Sequence, residues 1–88
     1  MPKHGEVMTD EIRTVLADHG RLSVDPVSLK EDDDLYRYGF TSHASINVML
    51  ALEEAFDVEF PNRLLRRSTF SSVRSIREAL AELGAGTA

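Results

Sequence analysis

Cysteine is absent from this chain, and three kinds of chemistry go with it. There can be no disulfide framework, no thiolate zinc site and no cysteine nucleophile. A chain without thiols suits a reducing cytosol. Long apolar runs are also missing: none approaches the roughly 18 residues that a membrane span needs. Met1 to Thr9 lack the apolar centre of a signal peptide, so the expectation is a cytoplasmic, soluble protein with no membrane partner. Positive charge is short as well. The formal net charge is −5, with no basic stripe to displace counterions from phosphates, which argues against nucleic acid as a partner. Length sets a further bound. Eighty-eight residues make one domain, and a domain this small buries only about 60% of the surface its unfolded chain exposes. That leaves little room for a deep catalytic cleft.

What charge there is lies unevenly. Residues 1–40 hold nine acids against five bases, while residues 41–88 hold six against five. Acid gathers in Glu31-Asp32-Asp33-Asp34 and again at Glu53, Glu54, Asp57 and Glu59. Arg63, Arg66 and Arg67 form a separate basic cluster. Such runs are either solvated surface or steering charges for protein partners.

Apolar spacing predicts a first helix from about Glu6 to His19, carried by Met8, Ile12, Val15 and Leu16, with Gly20 as its terminating glycine. No period holds from Arg21 to Thr41. A connection longer than about 12–15 residues is uncommon in a compact domain and often functional. Its Leu22, Val24, Val27, Leu29, Leu35 and Tyr38 give it the means to pack down. A second helix is predicted from Ser42 to about Phe56, capped by the hydroxyl of Thr41 or Ser42. At helical spacing, Val48, Met49, Leu52, Ala55 and Phe56 share one side with Ile46 at its edge; His43, Asn47 and Glu54 form a polar stripe opposite, and Leu50 is left partly exposed. Asn62 can cap a short helix through Arg67. Ser71 or Ser72 starts a last helix carried by Val73, Ile76, Leu80 and Leu83, which Gly84 ends. The predicted core is Ile12, Val15, Leu16, Leu35, Val48, Met49, Leu52, Phe56, Leu64, Val73, Ile76 and Leu80. The fold class is all-α, with three main helices, one short helix and a long first loop.

The chemistry concentrates in Asp34-Leu35-Tyr36-Arg37-Tyr38-Gly39-Phe40-Thr41-Ser42. A glycine turn delivers a serine to the positive end of a helix, where free N–H groups accept anions. Nothing nearby makes Ser42 a nucleophile: there is no Gly-x-Ser-x-Gly elbow, and His43 points about a quarter-turn away around the helix. Hydrolysis needs a base held against the serine by a third group. His4, His19 and His43 share no metal-ligand spacing, so neither a catalytic residue nor a metal site is expected. A serine that another enzyme modifies needs only exposure and a docking surface.

The run from Asp34 to Pro61 resembles the phosphopantetheine-attachment region of acyl and peptidyl carrier proteins. It carries Asp34-Leu35, Gly39-Phe40-Thr41-Ser42-His43, Leu52-Glu53-Glu54-Ala55-Phe56-Asp57 and Phe60-Pro61. Glycine three before the serine and phenylalanine fourteen after it match the family without gaps, which selects Ser42 over Thr41 and Ser45. The resemblance implies a four-helix carrier bundle spanning 1–88, ordered over about 5–83, with 84–88 a frayed tail. It implies that a phosphopantetheinyl transferase, using coenzyme A and magnesium, attaches 4'-phosphopantetheine to Ser42. The arm's thiol then holds an acyl or aminoacyl group as a thioester, delivered to a downstream acceptor enzyme. The protein itself, expected to be a monomer, is no enzyme; it raises the effective concentration of a tethered substrate.

Two departures bear on the cargo. Thr41 stands where the family has aspartate, keeping a cap but losing a charge that the transferase reads, and His43 replaces a leucine that contacts partners. The acidic face is also thin. These features argue against service to a standard fatty-acid synthase. The Thr-Ser-His-Ala-Ser run is similar to small bacterial carriers aminoacylated by stand-alone ligases related to seryl-tRNA synthetase, with glycine or alanine as cargo. A specialised acyl carrier of a lipid or secondary-metabolite pathway is the alternative, and a helical adaptor without a prosthetic group is a third reading. Docking to the ligase or other partners is expected from Thr41, His43, Asn47, Leu50, Ala51, Glu54, Arg63, Arg66 and Arg67.

Overall fold

A computed structural model describes residues 4–85, with side chains from residue 7 onward. Three α-helices, α1 (His4–His19), α2 (Ser42–Phe56) and α3 (Val73–Glu82), are joined by segments containing four short 3-10 turns; no strand occurs among the described residues. The all-α expectation holds. α1 packs against both α2 and α3. Met8, Ile12, Val15 and Leu16 face inward from α1, Ala44, Val48 and Leu52 from α2, and Val73, Ile76, Ala79 and Leu80 from α3. A methyl-for-isobutyl truncation at a position as closed as Leu52 costs about 2–5 kcal/mol.

α1 ends at His19, just before Gly20 as expected, but the left-handed position falls one residue later. Gly20 is not the left-handed residue; Arg21 is, at φ 53°. Glycine is needed at 20 because a Cβ there would sit 2.7 Å from the Leu16 carbonyl oxygen, which already accepts the Gly20 N–H at 2.8 Å. The long loop then packs down as its apolar residues predict. Arg13 donates to the carbonyls of Pro26 and Leu29, the latter at 2.7 Å. Leu29, Leu35 and Phe40 are buried in the core, while Val27 is exposed.

The acidic run stays at the surface, with Asp32 and Asp34 exposed, and its carboxylates also hold local structure. Glu31 pairs with Arg77, and Asp32 with Arg74 at 3.1 Å. Asp33 accepts from the Lys30 N–H at 2.8 Å, and Asp34 from the Tyr36 N–H at 3.0 Å. Backbone bonds from Leu35 N–H to Ser71 and from Arg74 N–H to Glu31 tie this stretch to the start of α3.

The short helix expected from Asn62 to Arg67 is replaced by two 3-10 turns, Asn62–Leu64 and Arg67–Phe70. Asn62 does not cap: the capping position falls on Pro61, with no side-chain bond. Leu65 leaves helical geometry at ψ 64° and Arg66 is extended. The cause lies in the anchors. Phe60, Thr69 and Phe70 are buried and Leu64 half-buried, a spacing that pulls the chain flat across the core. So short a helix has no length to recover its nucleation cost. α3 starts at Ser72, whose Oγ accepts the Ser75 N–H at 3.1 Å while Ser75 Oγ accepts the Ser72 N–H at 3.0 Å, a capping box. Its end is closed by Gly84, at φ 86°: the Gly84 N–H reaches Ala81 O at 3.0 Å and the Ala85 N–H reaches Leu80 O at 2.9 Å. That is a Schellman ending, and it buries Ala85. Ala85 is thus buried and Gly84, though exposed, is tied back by its backbone, so neither is frayed; residues 86–88 of the predicted tail lie outside the described residues.

The wheel of α2 is turned slightly from the predicted one. Ala44 takes a core position and Ala55 is exposed, while Met49 and Phe56, like Leu64, are half-buried. The buried set also includes Met8, Leu29, Phe40, Phe60, Phe70 and Ala79. Bulky aromatics beside turns complete a core that three short helices cannot fill alone.

Candidate functional site

The site is built by the turn that precedes α2. Leu35–Tyr38 forms a 3-10 turn capped by Asp34, and Gly39 ends it in the left-handed region at φ 90°. A Cβ at Gly39 would meet only Ser23 N at 3.9 Å, so the backbone angle, not space, requires glycine there. Phe40 is buried, and the chain emerges at Thr41. Thr41 Oγ1 accepts the Ala44 N–H at 3.0 Å, which makes Thr41 the cap and Ser42 the first helical residue. Ser42 is exposed. Its carbonyl accepts Ser45 Oγ at 2.7 Å, fixing the first turn without engaging the Ser42 hydroxyl.

Beside Ser42 opens a groove of about 470 Å³, between α2 and the segment that precedes α3. Tyr36, Ile46, Met49, Leu65 and Phe70 supply its apolar surface, Ser42 and Ser45 one wall, and Arg66 and Arg67 the basic wall. The volume falls within the roughly 300–1,000 Å³ of small-molecule sites. Arg67 is fixed in place: its guanidinium carbon lies 3.7 Å from the Tyr36 ring centroid, and the Tyr36 hydroxyl donates to the Arg67 carbonyl at 2.9 Å. Burial pushes the Tyr36 phenol above its ordinary value; Arg67 pulls the other way, and Asp34 adds to the rise. Arg66 is exposed, and its guanidinium has no partner among the described residues.

The expected docking residues divide into two groups. His43, Asn47, Leu50 and Glu54 recur every three or four residues and form one stripe along α2; Leu50 is 53% exposed there, a large apolar side chain facing water. Ala51 lies half-buried beside them, and Thr41 stands at the helix entrance. Arg66 and Arg67 belong instead to the groove, on the flank of Ser42. Arg63 joins neither, because it pairs with Glu82 of α3. Glu53, adjacent to the stripe, serves the fold: its carboxylate accepts the Phe60 N–H at 2.9 Å and holds the Phe60-Pro61 turn.

Sequence reasoning missed the groove. Ile46 and Met49 follow Ser42 by four and seven residues, so a wheel drawn from Ser42 brings all three onto one flank. Tyr36, Leu65 and Phe70 carried no such signal, since only the tertiary fold brings them beside α2. Among the described residues no group of three or more His, Asp or Glu is placed to hold a metal ion. A phosphopantetheine arm requires a reachable hydroxyl, room beside it and a group to meet the charge of its phosphodiester. Exposed Ser42, the groove and unpartnered Arg66 fit those needs.

Comparison with known proteins meets this geometry. Residues 10–82 match the family described as phosphopantetheine attachment site, and the chain belongs to that family. It is 41% identical over 73 residues to a protein of Agrobacterium fabrum named aminoacyl carrier protein, covering 83% of this chain and 88% of the relative. Its fold is similar to that of a chain in the crystal structure of an engineered Bradyrhizobium japonicum glycine:[carrier protein] ligase complexed with a carrier protein from Agrobacterium tumefaciens and ATP. There the TM-score is 0.82 at 40% identity, over 85% of this chain and 97% of that one. A solution structure from Agrobacterium tumefaciens gives a TM-score of 0.68 at 39% identity, over 84% of this chain and 89% of that one. The protein is therefore a carrier domain, not a catalyst, and its cofactor is covalently bound 4'-phosphopantetheine. No helix among the described residues is long and apolar enough to cross a membrane.

Proposed function

We propose that this chain is an aminoacyl carrier whose attachment point is Ser42, loaded by a stand-alone amino acid:carrier protein ligase. The observation that carries the attachment is the exposed Ser42 at the first position of α2, held there by the Thr41 cap beside the groove. Support for the cargo comes from the 41% identical aminoacyl carrier protein and from the fold shared with a chain solved in complex with a glycine ligase. A phosphopantetheinyl transferase supplies the arm from coenzyme A: the Ser42 hydroxyl oxygen bonds to phosphorus, and the adenosine bisphosphate portion leaves. A supply of coenzyme A and both enzyme classes is met in the cytoplasm, where this carrier is proposed to work.

When bound, the arm supplies a thiol that can hold an aminoacyl group as a thioester. The chain does the rest by position. Thr41 fixes the first turn, so Ser42 projects from a rigid helix instead of a loop. The stripe of His43, Asn47, Leu50 and Glu54 offers the ligase and the downstream acceptor a surface with one apolar contact in polar surroundings. Tethering substitutes effective concentration for diffusion.

A short acyl cargo is the second reading, favoured by the apolar groove beside Ser42. One assay separates the two. Holo protein is offered to amino acid:carrier protein ligases with glycine or alanine and, separately, to acyl ligases, and thioester formation is read by intact mass. Loading with a small amino acid is expected. Loading with acyl groups alone overturns the aminoacyl reading and leaves the carrier assignment standing.

A further inference from the structure

We propose that Arg66 is an internal anion-binding residue for the phosphodiester on Ser42, seating the first part of the arm in the groove while a cationic aminoacyl end stays outside. This rests on the attachment reading above. Its evidence is the distribution of arginines. Five arginines lie between Arg63 and Arg77, and four of them are engaged. Arg63 pairs with Glu82, Arg74 with Asp32 and Arg77 with Glu31, while Arg67 lies over Tyr36. Arg66 alone among the five has no partner among the described residues, and it lines the same groove as Ser42. No acidic side chain lines that groove, so nothing within it competes for the guanidinium.

The occupant follows from the geometry. A phosphodiester on Ser42 starts in the groove wall, and the arm's first atoms have the apolar floor of Ile46, Met49, Leu65 and Phe70 beside them. A guanidinium meets a phosphate with two parallel N–H donors, a match that an ammonium lacks. Arg66 and Arg67 together repel a protonated amine. An aminoacyl end is thus turned outward, where a partner enzyme can reach it, even as the root of the arm is held.

The test reads the arm, not the activity. The carrier is converted to the holo form, checked by intact mass, and its thiol is capped. Nuclear Overhauser contacts are then measured between the arm and the methyl groups of Ile46, Met49 and Leu65. Wild type, Arg66→Gln, Arg66→Lys and the surface control Arg37→Gln are compared; Arg66 and Arg37 are exposed, so each variant keeps the fold, verified by circular dichroism. Wild type and the control should show the contacts. Arg66→Gln should lower the seated fraction about two- to five-fold, the range of an exposed ion pair, and Arg66→Lys should show part of that loss. Contacts absent from the wild type, or unchanged in Arg66→Gln, overturn the proposal while leaving the carrier reading intact. Failure to gain the arm at all overturns the carrier reading, and this proposal with it.

Discussion

Thr41 is where the cap and the site meet, and replacing it in two directions tests whether α2 is organised as described. Thr41→Val keeps the branched shape but removes Oγ1, the acceptor of the Ala44 N–H at 3.0 Å. Loss of such a cap costs about 1 kcal/mol, within a range of about 0.5–2. For a domain of this size, about 1 kcal/mol lowers the melting temperature by roughly 4–8 °C. Thr41→Asp should act the other way. Aspartate caps at least as well as threonine, and its charge at a helix N-terminus adds about 0.3–1 kcal/mol at low salt. That gain should fade as pH falls through the carboxylate range near about 3.9, where the charge is lost. Thermal unfolding by circular dichroism at pH 7 and at pH 3 reads both effects. Thr41→Asp should also convert faster to the holo form, since it supplies the aspartate of the acyl and peptidyl carrier pattern that this stretch resembles. A Thr41→Val variant that melts with wild type, or a Thr41→Asp variant that melts below it at pH 7, refutes the assigned cap.

Two further outcomes follow from particular contacts. Gly20→Ala should destabilise the domain measurably in urea titration, because the added Cβ falls 2.7 Å from the backbone oxygen of Leu16 and the helix end must shift; an unchanged midpoint contradicts the close approach. Tyr36 has a raised pKa in the fold, first through burial, so its neutral form is favoured there and the stability it contributes is present below its unfolded value of 10.0. That contribution should be lost as pH climbs through and above 10.0, and Tyr36→Phe should flatten this part of the melting-temperature profile. An identical alkaline decline in the two proteins contradicts the assignment.

How much the sequence disclosed depended on the range of each signal. The span of α2 was legible because a hydroxyl cap at Thr41 or Ser42 and helical apolar spacing up to about Phe56 are local signals. Ser42, the proposed attachment point, was singled out by signals of the same short range, its fixed spacing to Gly39 and Phe56. The segment after Pro61 was not. Asn62 carries a capping side chain and Arg63–Arg67 tolerate a helix, yet Phe60 and Phe70, whose rings lie 5.5 Å apart, flatten the chain between them. The ion pairs of the acidic run were not legible because Arg74 and Arg77 lie some forty residues away. The groove escaped notice for the same reason, since Tyr36 and Phe70 join Met49 only in the folded molecule.

The most direct test of the central claim is the mass of the intact chain after incubation with coenzyme A, magnesium and a broad-specificity phosphopantetheinyl transferase. The wild type should gain one phosphopantetheine, Ser45→Ala should gain it too, and Ser42→Ala should gain none. An adduct that persists on Ser42→Ala, or a wild type that gains nothing, contradicts the assignment of Ser42 as the attachment point.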